Sequence, residues 1–113
     1  MEYNWHREVI DKATRAISRH AQKLYDEGLD LSGWFSFFEK NHPEVFSKYL
    51  KIPERLNRAK AKNSMSEFKK IAKEYQDTEI WAINQFAEHL EKEKTKALEA
   101  MREKRRDPQE VLI

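Results

Sequence analysis

Apolar residues recur along this chain at intervals of three and four, the spacing of one helix face and not the alternation of a strand. Ile10, Ala13, Ile17, Ala21 and Leu24 mark such a face. They predict a first helix from Asn4, a residue suited to an N-cap, to Glu27, with Gly28 placed to close it in the left-handed conformation. A short second helix is predicted from Ser32 to Lys40, dense in Trp34, Phe35, Phe37 and Phe38. Successive helical residues turn by about 100°, so Trp34, Phe37 and Phe38 share a face and Phe35 lies to its side. Phe37 and Phe38 are expected in the core. Phe35 stays open between the core and an exposed apolar patch.

Asn41 is expected to stop the second helix in a left-handed conformation. Pro43 then suits the first turn of a third, which carries Val45, Phe46, Tyr49 and Leu50. Pro53 opens a fourth, apolar only at Leu56, Ala59 and Ala61 and basic elsewhere, which runs to Lys62. Ser64 and Glu67 have the spacing of a capping box, ahead of a face formed by Phe68, Ile71, Ala72 and Tyr75. Asp77 or Thr78 is expected to cap a separate final helix reaching Arg106, with Asp107-Pro108 breaking it.

That last stretch changes character along its length. Ile80, Ile83, Ala87, Leu90, Lys94, Ala97 and Met101 follow the a/d spacing of a heptad seam. The seam is strong to Leu90 and poor afterwards, where eleven of the sixteen residues from Glu91 to Arg106 are charged. Acidic-to-basic pairs three apart, Glu91–Lys94, Glu93–Lys96, Glu99–Arg102 and Glu103–Arg106, support the outer turns by roughly 0.2–0.5 kcal/mol each. Such a split describes a core element continued as an arm. The fold expected is all-α: a compact bundle of five to six helices with a long, charged C-terminal helix extending from it. Residues 1–106 form one helical domain, core from 4 to 90 and arm from 91 to 106, and 107–113 form a flexible tail.

Composition agrees. Two glycines and three prolines in 113 residues are too few for the turns of an all-β chain. Three Trp, six Phe and four Tyr supply a core for one small domain. Cysteine is absent, which excludes disulfides and thiolate chemistry and fits a cytoplasmic location. The early positions Arg7, Asp11, Lys12, Arg15 and Arg19 leave no apolar signal-peptide core, and no apolar run has membrane-spanning length.

Charge adds a second candidate surface. The net charge is +2, unevenly placed. Residues 1–43 carry a net of −1, residues 44–73 a net of +6 from nine basic and three acidic side chains, and residues 74–113 a net of −3. Within the basic segment, a helix, a Lys51-Ile52-Pro53 break and a second helix give a faint helix-turn-helix outline. Lys51, Arg55, Arg58, Lys60, Lys62, Lys69 and Lys70 are its candidate phosphate contacts. Lys51 stands where glycine is usual in such a turn, which weakens the match.

Catalytic signatures do not appear. His6, His20, His42 and His89 form no His-x-x-x-His pair, and Glu39 with His42 gives one Glu-x-x-His where a helical di-metal site needs two. Phosphate-binding loops and nucleophile elbows are lacking. The expectation is therefore a non-enzymatic interaction or regulatory protein with no cofactor, metal, membrane or small-molecule partner. It binds another protein, or a second copy of itself, through Lys94, Leu98, Met101, Arg102, Arg105 and Arg106 on the arm. The alternative is a nucleic-acid-binding accessory protein using the 44–73 segment.

Overall fold

The helix that Ser64 caps runs on through the stops its sequence offers at Asp77, Thr78 and Asp107-Pro108. In the computed structural model, which describes residues 4–112 and the side chains of residues 4–103, the order is α1 (Trp5–Asp26), α2 (Trp34–Asn41), α3 (Pro43–Tyr49), α4 (Ile52–Ala61) and α5 (Met65–Leu112). The architecture is all-α, with no strand among the described residues. The two helices expected on either side of Asp77 are one. Phe68, Ile71, Ala72, Tyr75, Glu79, Ala82, Ile83, Phe86 and Ala87 continue at steps of three and four straight through Asp77 and Thr78. A capping side chain cannot end a helix whose buried stripe keeps its phase on both sides.

At 48 residues α5 spans about 72 Å, which accounts for most of the 80 Å long axis of the molecule. The others pack on it. The Trp5 and Phe68 rings meet edge to face at 5.2 Å, and His20 pairs with Asn84 at 2.5 Å, so α1 runs parallel to the first half of α5. Two parallel neighbours need a long crossover, and α2, α3 and α4 form it. Ile52 and Ala59 of α4 are buried with Phe68 and Ile71. Phe38 of α2 and Phe46 of α3 are buried with Ala82, flanked by Trp81.

The joints follow local chemistry. Gly28 closes α1 at φ +93°, as its position predicts. Asn4 precedes α1 without a side-chain cap; its backbone carbonyl instead accepts from Glu8 at 3.4 Å. Asn41 stays inside α2, where its amide donates to the Phe37 carbonyl at 2.9 Å, and His42 makes the turn into α3. The left-handed residue is Asn63, at φ 55°, between α4 and α5. Ser64 then accepts from the Glu67 backbone N–H at 3.4 Å, half of the expected capping box. The break expected at Asp107-Pro108, ahead of a tail over 107–113, does not occur, since α5 runs past Arg106 and through both residues to Leu112; the side chains of 104–113 lie outside the described residues.

Of the aromatic cluster, Phe38 is fully buried and Phe37 half-buried against Phe86 and His89, at 5.4 and 4.7 Å. Phe35 does both jobs: it packs edge-on to Phe46 at 5.2 Å and remains 43% exposed. Phe38 holds α2, α3 and α5 together at one point. Phe38→Ala is expected to lower unfolding stability by about 3–5 kcal/mol. Tyr25→Ala, at a residue 67% exposed, is expected to change it by no more than about 0.5 kcal/mol. Urea denaturation of the two variants checks this, and similar midpoint shifts would contradict the assignment of the core.

Candidate interaction surfaces

The arm is where the packing ends. Every described residue from Glu91 to Glu103 is exposed, Lys94 and Arg102 included. Two of them are large and apolar: Leu98, 53% exposed, and Met101, 59% exposed. Three residues apart, they lie on one flank of the helix. Of the expected charge pairs, Glu93–Lys96 closes at 3.8 Å. Glu91–Lys94 and Glu99–Arg102 form no ion pair among the described residues. The side chains of Arg105 and Arg106, and the Glu103–Arg106 pair, lie outside the described residues.

The basic 44–73 segment does not form one surface. Arg55 reaches across to Glu74 of α5 at 2.7 Å, and Arg58 binds Glu54 on its own helix at 3.1 Å. Such exposed pairs are worth about 0–1 kcal/mol and neutralise charge locally. Lys51, Lys60, Lys62 and Lys70 are exposed. Lys69 points elsewhere, into a groove that sequence reasoning missed.

That groove runs between α1 and the start of α5 and encloses about 760 Å³. Lys12, Arg15 and Arg19 line it from α1, and Lys69, Lys73 and Gln76 from α5. Ala13, Ala16 and Ala72 form its floor, so no side chain fills it, and Glu8 is its one acidic lining residue. Lys73 pairs with Asp77 at 2.8 Å. The signal was available: Lys12, Arg15 and Arg19 fall at i, i+3 and i+7 on one face of the first helix. It was hidden because the segment holding them has a net charge of −1.

A second concavity, about 280 Å³, is apolar: Ile10, Leu50, Ile52, Pro53 and Leu56 line it together with Tyr49 and Tyr75. The Tyr49 ring directs its hydroxyl to Glu79, a buried carboxylate on α5, and donates to its Oε1; Tyr75 lies near the same carboxylate. The rings stack at 6.3 Å with planes 16° apart. Burial, and then the neighbouring carboxylate, hold both phenols above their ordinary pKa. A buried carboxylate bonded by a tyrosine from another helix is a packing device. No buried side-chain nitrogen or oxygen among the described residues lacks a partner.

Among the described residues no three His, Asp or Glu converge as metal ligands, and no helix is long and apolar enough to cross a membrane. His42 packs on Trp81 at 4.7 Å and His89 on Phe37, ring contacts that account for both. Comparison with protein-family models, with curated proteins and with solved structures finds no match.

The tyrosine–carboxylate centre has a pH consequence. A phenol whose pKa is raised by folding adds stability below its unfolded pKa, near 10, and that contribution is lost as pH rises past it. Urea midpoints are therefore expected to fall above about pH 10 in the wild type, and less steeply in Tyr49→Phe. At pH 8 the variant should already be about 1–3 kcal/mol less stable, since Glu79 loses a donor. Parallel declines in the two proteins above pH 10 would refute the assignment.

Proposed function

We propose that this chain is a non-enzymatic helical interaction protein whose α5 extension docks against another protein. The observation that carries the reading is the unburied flank at Leu98 and Met101, on a helix whose described residues beyond Leu90 are all exposed. A free helix of this kind gains by laying its apolar flank against a partner helix, with flanking charges setting register. Lys94 and Arg102 border the flank, and in the sequence Arg105 and Arg106 extend its basic character. A second copy of the chain is one partner this geometry suits. The reading needs no cofactor.

Nucleic-acid binding is the second reading. Arg55 and Arg58, engaged with Glu74 and Glu54, weaken it as a property of the 44–73 segment. Lys69, facing the cations of α1, favours it at a different place.

The full-length double variant Leu98→Glu/Met101→Glu tests the arm. Both residues are exposed, so stability should stay within about 0.5 kcal/mol per site. Cross-linking in cells that express the protein, with light scattering of the purified chain, reads association. The variant should lose complexes that the wild type forms, whether with another protein or with itself. Identical complexes in both proteins would sink the proposal.

A further inference from the structure

Two rows of positive charge face one another across the α1–α5 groove. Along α1, the steps from Lys12 to Arg15 and from Arg15 to Arg19 rise about 4.5 and 6 Å, and the step from Lys69 to Lys73 on α5 rises about 6 Å. Lys12, Arg15, Arg19 and Lys69 are exposed and make no ion pair among the described residues. Lys73, in the same groove, pairs with Asp77, and elsewhere Arg55, Arg58 and Lys96 find carboxylates. A cleft lined by five cations and one carboxylate, with only Lys73 of the five in a salt bridge among the described residues, and floored by alanine so that it stays open, concentrates positive potential between low-dielectric walls.

We infer that this groove binds the phosphate backbone of nucleic acid, contacting it without reading bases. Phosphates follow one another along a duplex strand at about 3.4 Å of rise, so cations at these intervals meet several at once. Arginine adds the planar, forked geometry that matches a phosphate. The lining holds no aromatic ring on which a base could stack, which separates it from single-strand platforms. No large exposed apolar residue lines it either, and a membrane-surface site needs such residues to enter the lipid. The site is distinct from the α5 arm and shares only Lys69 with the candidate contacts of the 44–73 segment.

Fluorescence anisotropy with a labelled mixed-sequence duplex of roughly 20 base pairs, between about 50 and 200 mM salt, tests it on the full chain. Wild-type affinity should fall steeply across that range. Arg15→Ala/Arg19→Ala should bind at least about tenfold more weakly at low salt, with its log–log salt slope smaller by about 2. Lys12→Ala/Lys69→Ala, one cation from each row, should repeat the loss, and Arg58→Ala should bind within about twofold of wild type. All variants should melt with the wild type, since every changed side chain is exposed. The inference is overturned if the wild type fails to bind at low salt, or if the groove variants bind as tightly as it does. It is also overturned if Arg58→Ala loses as much as they do, or if anionic phosphatidylserine vesicles hold the protein against excess duplex.

Discussion

The structure depends on one helix serving as packing partner for nearly all the others. α1, α2 and α4 each bury an apolar face on α5, and α3 reaches it through Phe46 and Tyr49. A helix in that position needs a stripe broader than one partner requires. Phe68 and Ile71 meet α4, Ala72 lies beside Ala13 and Ala16 of α1, and Trp81, Ala82 and Phe86 meet α2 and α3. Between Phe68 and Leu90 the apolar positions therefore wrap most of the way round, as expected of a helix buried on several sides. The uninterrupted course of α5 follows from this: a break at Asp77 would throw the α4 site and the α2 site out of register.

Glu79 shows how that constraint admits a charge. It sits where α5 turns from its α4 contacts toward its α2 and α3 contacts, and an apolar residue of similar size would fit the stripe. The Tyr49 phenol instead makes it a junction, since Tyr49 ends α3 and Glu79 lies on α5. Burying a carboxylate is costly unless its lone pairs are filled. The bond from Tyr49 ties the end of α3 to α5 with direction as well as proximity. Gly33 makes a similar demand at the start of α2: a Cβ there would meet the Phe86 ring at 3.3 Å, so the close approach of that turn to α5 uses the missing side chain.

Much of the fold was legible in the sequence where local signals and packing agree. The face of α1, Gly28, Pro43, the Ser64–Glu67 cap and the change of character near Leu90 all fall into this group. Legibility failed where a local signal competed with burial. Asp77 and Thr78 are good caps, yet both lie inside α5 because the stripe continues past them; Asn41, a good left-handed stop, instead ends α2 with its amide on the Phe37 carbonyl. Glu79 was passed over for the opposite reason. A carboxylate in a charge-rich helix reads as solvent-facing, and only the arrival of Tyr49 from thirty residues away makes it a buried acceptor. The exposure of the outer part of α5 was legible because eleven of the sixteen residues from Glu91 to Arg106 are charged, which leaves too few apolar positions to bury.

The charged surfaces carry the same lesson further. Net charge counted along a segment averages over all sides of a helix, whereas a ligand meets one side. Consecutive residues diverge by about 100°, so Lys69 lines the groove while its neighbour Lys70 does not. The segment with a net of +6 spends Arg55 and Arg58 on carboxylates. Among the described residues, the groove draws three of its four cations outside any salt bridge from a segment whose net is −1, where Lys12, Arg15 and Arg19 share a face and Asp11, Asp26 and Glu27 stay outside the groove lining. Periodicity of charge, read at the helical period like that of apolar residues, is the sequence quantity that corresponds to a surface. It marks the α1 row from sequence, and only the parallel docking of α1 on α5 supplies the row that faces it.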